Sequence, residues 1–215
     1  KEFELAPHQQ FIKNFLSSYT PYNSVLLYHG LGTGKTCSAI GIAEETREFM
    51  KLNGINQRII IVASPSVQEN FKLQLFDERK LKFENGSWNI KSCVGNKFIK
   101  EVNPMMTKQL SKERLIMQIK KLRSKWYKVL GYREFANYIS KLVKDSRLNK
   151  ESNVTDERIK KKIKKEFSNR LIVIDEVHNI RIGNNMKKTS ENFLKLIKYA
   201  DNMKLLFLTA TPMYN

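Results

Sequence analysis

"LLYHGLGTGKTCSAI", residues 26–40, passes from an apolar run, through a glycine-rich turn, into small residues suited to a helix. Glycines stand at 30, 32 and 34, and Lys35 and Thr36 follow at once. Glycine lets successive backbone N–H groups turn inward as an anion nest, where a Cβ would clash. A helix start adds unpaired N–H groups and the positive end of its dipole. Lys35 supplies a point charge suited to the β- and γ-phosphates of a nucleotide, and Thr36 a hydroxyl suited to Mg²⁺. The strict pattern asks for glycine at 29, where this chain has His29. The rest of the turn, Gly30, Leu31, Gly32, Thr33, Gly34, Lys35 and Thr36, keeps the spacing of a triphosphate cradle.

Working outward, three more apolar runs match the first (24–30) in length: "RIIIVASP" (58–65), "RLIVIDE" (170–176) and "KLLFLTAT" (204–211). They are rich in Val, Ile, Leu and Phe without alternation, as expected of strands covered on both faces of a parallel sheet. Helical patterns alternate with them: Thr36 to Met50, Val67 to Phe76, and Ser190 to Tyr199. In the last, Phe193, Leu194, Ile197 and Ala200 are expected to share the buried face. Strand–helix alternation predicts a doubly wound α/β sheet, whose ligands bind beyond the carboxyl ends of the strands. The residues closing all four runs are therefore expected on one edge.

Two more of those closing stretches carry chemistry. "LIVIDEVHNI" (171–180) ends a buried strand in Asp175 and Glu176. An acid there can hold Mg²⁺ while its neighbour orients or deprotonates an attacking water. His178 reads first as a structural hydrogen-bond donor. "LTATP" (208–212) brings the hydroxyls of Thr209 and Thr211 to the same edge, and Pro212 stops the strand. Near the N-terminus, "ELAPHQQF" offers the amide of Gln9 or Gln10 to a purine.

The stretch from about 77 to 169 breaks the rhythm. A polar, turn-rich piece comes first, then a helical segment (roughly 105–126) and "WYKVLGYREFANYISKLV", a short strand and a helix. A Lys-rich helix follows, in which Ile159, Ile163 and Phe167 recur every four residues. Of the formal charge of +18, residues 72–165 carry a net +16, from 26 Lys and Arg against 10 Asp and Glu. Such an excess implies a polyanion partner, with nucleic acid the commonest. The bland alternative is a solubilising Lys-rich surface. No apolar run approaches the ~18 residues of a membrane span. Cys37 and Cys93 have no metal or redox spacing and are expected as free thiols in an intracellular, reducing compartment.

Taken together, the Gln segment, "GxGKT", "DExH" and "TAT" resemble superfamily 2 helicases and translocases. The resemblance implies an N-terminal RecA-like P-loop NTPase domain over 1–215, with a basic helical elaboration at approximately 77–169. Gln9 then matches the adenine-reading glutamine, with Gln10 the alternative. Motif I falls on Gly32, Gly34, Lys35 and Thr36, and motif II on Asp175, Glu176 and His178. Motif III falls on Thr209, Ala210 and Thr211, which couple nucleotide state to strand grip. "ASPS" looks like motif Ia and implies backbone contacts from Ser64, Pro65 and Ser66. Lys160, Lys161 and Lys162 are candidates from the basic helix. "LLYHGLGTGKT", "GYREFANYI" and "LTATPMYN" look closest to helicase-like ATPases of large cytoplasmic DNA viruses, of the poxvirus transcription-factor and nucleoside triphosphate phosphohydrolase type.

The expected function is thus an ATP- and Mg²⁺-dependent nucleic-acid motor with DNA preferred over RNA, allied to viral transcription and located in virion or host cytoplasm. The domain is expected to be monomeric and without a membrane partner. The resemblance also implies a second RecA-like domain, with arginine fingers, that these residues do not include. An arginine finger is worth ~10³–10⁵ in rate, so the domain alone is expected to bind ATP but hydrolyse it poorly. Two rival readings are a P-loop ATPase unconnected with nucleic acid, and a nucleic-acid-binding module with a vestigial nucleotide site.

Overall fold

A computed structural model of the chain describes residues 6–28, 30, 34–104, 110–144, 152–181 and 186–211. Helix α1 (Pro7–Phe15) opens with proline in its first turn, where the missing N–H costs nothing. Strand β1 (Ser24–Tyr28) leads through the glycine turn to α2 (Lys35–Leu52). Strand β2 (Ile59–Val62) leads to α3 (Pro65–Leu75), again with proline at the helix start. A hairpin of β3 (Leu81–Glu84) and β4 (Ser87–Ile90) follows, then α4 (Lys97–Val102) and α5 (Lys112–Trp126). Strand β5 (Tyr127–Leu130), α6 (Tyr132–Lys144) and α7 (Ser152–Phe167) return the chain to β6 (Leu171–Asp175). Helix α8 (Met186–Tyr199) and β7 (Lys204–Thr209) complete the described order.

Five strands form one sheet in the order β1-β7-β6-β2-β5, every neighbouring pair parallel. Alternate residues of each strand face opposite helical layers. Ile59, Ile61, Leu171 and Val173 pack with Ile40, Phe71, Leu75 and Ile119 of α2, α3 and α5. Ile60, Val62, Ile172 and Ile174 pack with Phe135, Ile159, Ile163, Phe167 and Leu196 of α6, α7 and α8. Each such side chain contributes about 1.5–3 kcal/mol relative to exposure. This is the expected α/β architecture, with all five carboxyl ends on one edge.

Four expectations need correction. Strand β1 is not covered on both faces: Ser24, Leu26 and Tyr28 are exposed, because β1 is the outermost strand of the described sheet. The piece expected to be turn-rich holds the antiparallel hairpin, with Phe83 opposite Trp88. Its turn, Asn85 and Gly86, has positive φ at both positions (51° and 76°), the conformation that Asn-Gly favours. In α8, Leu194 (63% exposed) and Ile197 (43%) face outward while Leu196 is buried. The apolar arc of that helix is wider than the face its neighbours accept. Finally, Cys37 and Cys93 are joined as a disulfide with Cα atoms 5.3 Å apart, which removes the ground for the reducing-compartment expectation.

Candidate functional site

The carboxyl edge gathers the first candidate residues around Gly34, which adopts φ +82°, a left-handed conformation open to glycine. Gln9, 7% exposed, uses its amide twice. Its Oε1 accepts from the Ala6 N–H (3.0 Å), and its Nε2 donates to the Gly34 carbonyl (3.3 Å). A Cβ at position 34 would lie 2.7 Å from that Nε2, so the end of the Gln9 side chain would have to shift to admit one. Helix α2 starts immediately after, and its first intrahelical bond runs from Ser38 N to Gly34 O. The N–H groups of its first turn therefore have no partner within the helix, and no acidic residue sits there to occupy them. The Thr36 hydroxyl accepts from Asn70 Nδ2 of α3 at 3.4 Å. His29, Leu31, Gly32, Thr33 and Pro212 lie outside the described residues.

Strand β6 delivers the acids to the same edge. Asp175 is 9% exposed. Burial, and then neighbouring Glu176, push its carboxyl up to about 6, against the pull of Lys35 and His178. Lys35, at the glycine turn, and Asp175, at the end of β6, are thus near enough to feel each other's charge. Glu176 has φ 42°, costly for a residue with a Cβ, and its side chain is held firmly. Its Oε2 accepts from the Thr209 hydroxyl (2.7 Å) and its Oε1 from the Ala210 N–H (3.1 Å). Thr209 Oγ1 in turn accepts from the Thr211 N–H (3.1 Å). His178 Nδ1 stands 3.6 Å from Glu176 Oε2, beyond hydrogen-bond length. The structure therefore brings together Gln9, Gly34, Lys35, Thr36, Asp175, Glu176, His178 and Thr209 to Thr211.

Ser64 precedes α3 and Ser66 lies in its first turn, their hydroxyls 3.4 Å apart beside Pro65. Lys160, Lys161 and Lys162 are exposed on α7, in the helical layer on the other sheet face from α3. Two residues at the edge were missed. Asn70 reaches Thr36, and the Tyr132 hydroxyl donates to the Asp175 carbonyl at 2.8 Å, fixing the exit of β6. Neither belongs to a recognisable pattern, though Tyr132 lies within the quoted "GYREF".

The model of the family described as type III restriction enzyme, res subunit, matches residues 2–214. Protein R563 of Acanthamoeba polyphaga mimivirus, named a candidate ATP-dependent RNA helicase, is 29% identical over 219 residues, spanning 100% of this chain and 31% of the relative. Protein L377 of the same virus, similarly named, is 26% identical over 226 residues, spanning 99% of this chain and 18% of the relative. Protein 009L of Frog virus 3, named a candidate helicase, is 28% identical over 213 residues, with 97% and 18% spanned. The chain thus covers about a fifth to a third of the length of these relatives.

Proposed function

We propose that this chain, which belongs to the type III restriction enzyme res-subunit family of superfamily 2 helicase-related proteins, is the nucleotide-binding domain of a nucleic-acid-driven ATPase motor. The observation that carries the reading is that the start of α2 at Lys35, after β1, and the Asp175–Glu176 end of β6 lie at the carboxyl edge of one parallel sheet. The first-turn N–H groups of α2 and Lys35 would bind the phosphates, and Gln9, pinned to Gly34, would face the purine. Thr36 and Asp175 would hold Mg²⁺. A hydroxyl and a carboxylate suit that ion, which is usually bound by one or two carboxylates plus phosphates and water. Magnesium, when bound, neutralises charge developing on the phosphates.

Glu176 would take the proton of the attacking water. Its carboxylate is oriented by Thr209 and Ala210, so a change at the phosphates would be felt at the exit of β7. The resemblance of "LLYHGLGTGKT", "GYREFANYI" and "LTATPMYN" to poxvirus-type ATPases is the ground for proposing a transcription-related role on DNA. The mimivirus relatives carry RNA in their names, so both polymers belong in the test.

In the full-length protein, Glu176→Gln should keep Mg–ATP affinity within a few-fold and lose turnover by ~10²–10⁴, the usual worth of a general base. An unchanged rate would remove the assigned base. Wild-type turnover should rise with single-stranded DNA, duplex DNA or RNA. Absence of stimulation by all three favours a P-loop ATPase of another kind, and absence of calorimetric Mg–ATP binding favours a vestigial site.

A further inference from the structure

The β3–β4 hairpin has two unlike faces. Leu81, Phe83, Trp88 and Ile90 share one, anchored by buried Leu81 and Ile90 and by the Trp88 Nε1 bond to Leu110 O (3.1 Å). Lys82, Glu84, Ser87 and Asn89 share the other. That polar face borders a groove of about 1000 Å³, which the preceding Arg79 and Lys80 and the following Lys91 and Asn96 extend.

The charge in this groove is lopsided. Arg79, Lys80, Lys82 and Lys91 line it against one carboxylate, Glu84. Arg79 is held by Asp77 through bonds of 2.9 and 3.0 Å. Lys80, Lys82 and Lys91 are exposed; Lys80 also lies near enough to Asp77 to help Arg79 hold its carboxyl below the usual range, whereas Lys82 and Lys91 are in no ion pair recorded among the described residues. The floor is preorganised by side-chain amides. Asn96 accepts from the Ile90 N–H (2.9 Å) and donates to Asn89 (2.9 Å), which donates to Ser87 Oγ (3.2 Å). A groove with an ordered amide floor and three exposed ammonium groups against one carboxylate is complementary to a row of phosphates rather than to one small anion.

Its position fits the same partner. Two residues after Lys91, Cys93 is bonded to Cys37, which follows Thr36 at the start of α2. One end of the groove is thereby stapled to the helix that opens at the candidate nucleotide turn.

We infer that the polar face of the β3–β4 hairpin is a binding groove for the phosphodiester backbone of nucleic acid, with Lys80, Lys82 and Lys91 as its contacts. The inference rests on the nucleic-acid reading above and adds a contact surface distinct from the Ser64–Ser66 turn and from α7.

The test is fluorescence anisotropy without nucleotide, using labelled single-stranded DNA, duplex DNA and single-stranded RNA over a salt series. Lys80→Gln/Lys82→Gln/Lys91→Gln is compared with wild type and with Lys160→Gln/Lys161→Gln/Lys162→Gln. The groove triple should lose ~10-fold or more in affinity, with a logarithmic salt slope shallower by about 2 on single strands, three contacts at ~0.7 each. Its melting temperature and Mg–ATP affinity should stay unchanged, which separates lost contacts from lost folding. Whichever polymer shows the largest loss names the track. Wild-type binding with an unaltered groove triple would overturn the groove alone and leave the motor reading standing. Binding of no polymer by wild type would overturn both. Equal loss of a polyglutamate competitor would assign the groove to an acidic protein and overturn the inference.

Discussion

Arg47 and Asp175 are both buried charges, and their surroundings treat them oppositely. Arg47, 1% exposed, gives Nε to both Glu44 oxygens (3.0 and 3.1 Å), Nη2 to Glu44 Oε2 (2.8 Å) and Nη1 to Glu101 Oε2 (2.8 Å). The Tyr127 hydroxyl donates to Glu44, and Lys51 reaches Glu101 at 3.1 Å. Burial alone would lower the guanidinium's proton affinity, but Glu44 and Glu101 outweigh it and raise the pKa beyond its ordinary value. Two carboxylates meet two cations, with aromatic rings of Phe98 and Trp126 alongside. At the sheet edge, by contrast, Asp175 is incompletely compensated, and burial and then Glu176 push its carboxyl up to about 6. Charge buried to stabilise a fold is matched from within the chain. The excess at the edge is what a bound cation would offset in the function proposed above.

The largest effect should come from breaking the matched cluster. Arg47→Met leaves Glu44 and Glu101 without their shared partner, and orphaning a buried ion typically costs about 3–5 kcal/mol. Urea unfolding should show a loss of that size. Adding Glu44→Leu should recover much of it, since replacing a whole buried pair by apolar groups is often close to neutral. If Arg47→Met costs under ~1 kcal/mol, the two clusters do not differ as described.

The opposite sign is expected at the edge. Asp175 has its folded pKa raised from 3.8 to about 6, so the folded state binds its proton more tightly. The stability from this group is fully present below 3.8 and lost as pH rises through about 6. At pH 7.5 the ionised carboxylate costs about 2 kcal/mol, after allowing for partial solvent screening of a two-unit shift. Asp175→Asn should therefore raise the melting temperature of the nucleotide-free protein by several degrees at pH 7.5 and by almost nothing near pH 4. A drop at pH 7.5 would mean that Lys35 and His178 already compensate the acid.

These two clusters also mark how far the sequence could be read. The edge was legible because its residues close apolar runs, and parallel strands must bring such ends together: Lys35 follows β1, Asp175 and Glu176 close β6, and Thr209 closes β7. Arg47, Glu44, Glu101 and Tyr127 come from three elements, with up to 83 residues between partners. No local period links them. The same distance in sequence hides the Cys37–Cys93 bond, as well as the approach of Asn70 to Thr36. The hairpin is different, since Asn85–Gly86 between "KFE" and "SWNI" is a strong turn signal, obscured by the many polar residues around it. For β1, an apolar run reads alike in a central or an outermost strand, so Leu26 and Tyr28 gave no sign of their exposure.

The smallest effect sharpens the comparison most. Tyr127→Phe removes one donor from Glu44 while leaving three short contacts from Arg47 in place. A hydrogen bond to a charged group contributes about 1.5–3 kcal/mol when it is the main partner. Here the guanidinium still satisfies both oxygens, so the loss should be only about 1 kcal/mol. The phenol's own pKa supports this view of the site. Burial, then the nearby Glu44, raises it well above the usual value, so Tyr127 stays a neutral donor at any working pH. The Tyr127→Phe penalty should accordingly be flat from about pH 6 to 9, whereas the Asp175→Asn gain should still be growing with pH at the lower end of that range. A Tyr127→Phe penalty that changed with pH as steeply would show Glu44 to be titrating, and would make the interior cluster as unbalanced as the edge.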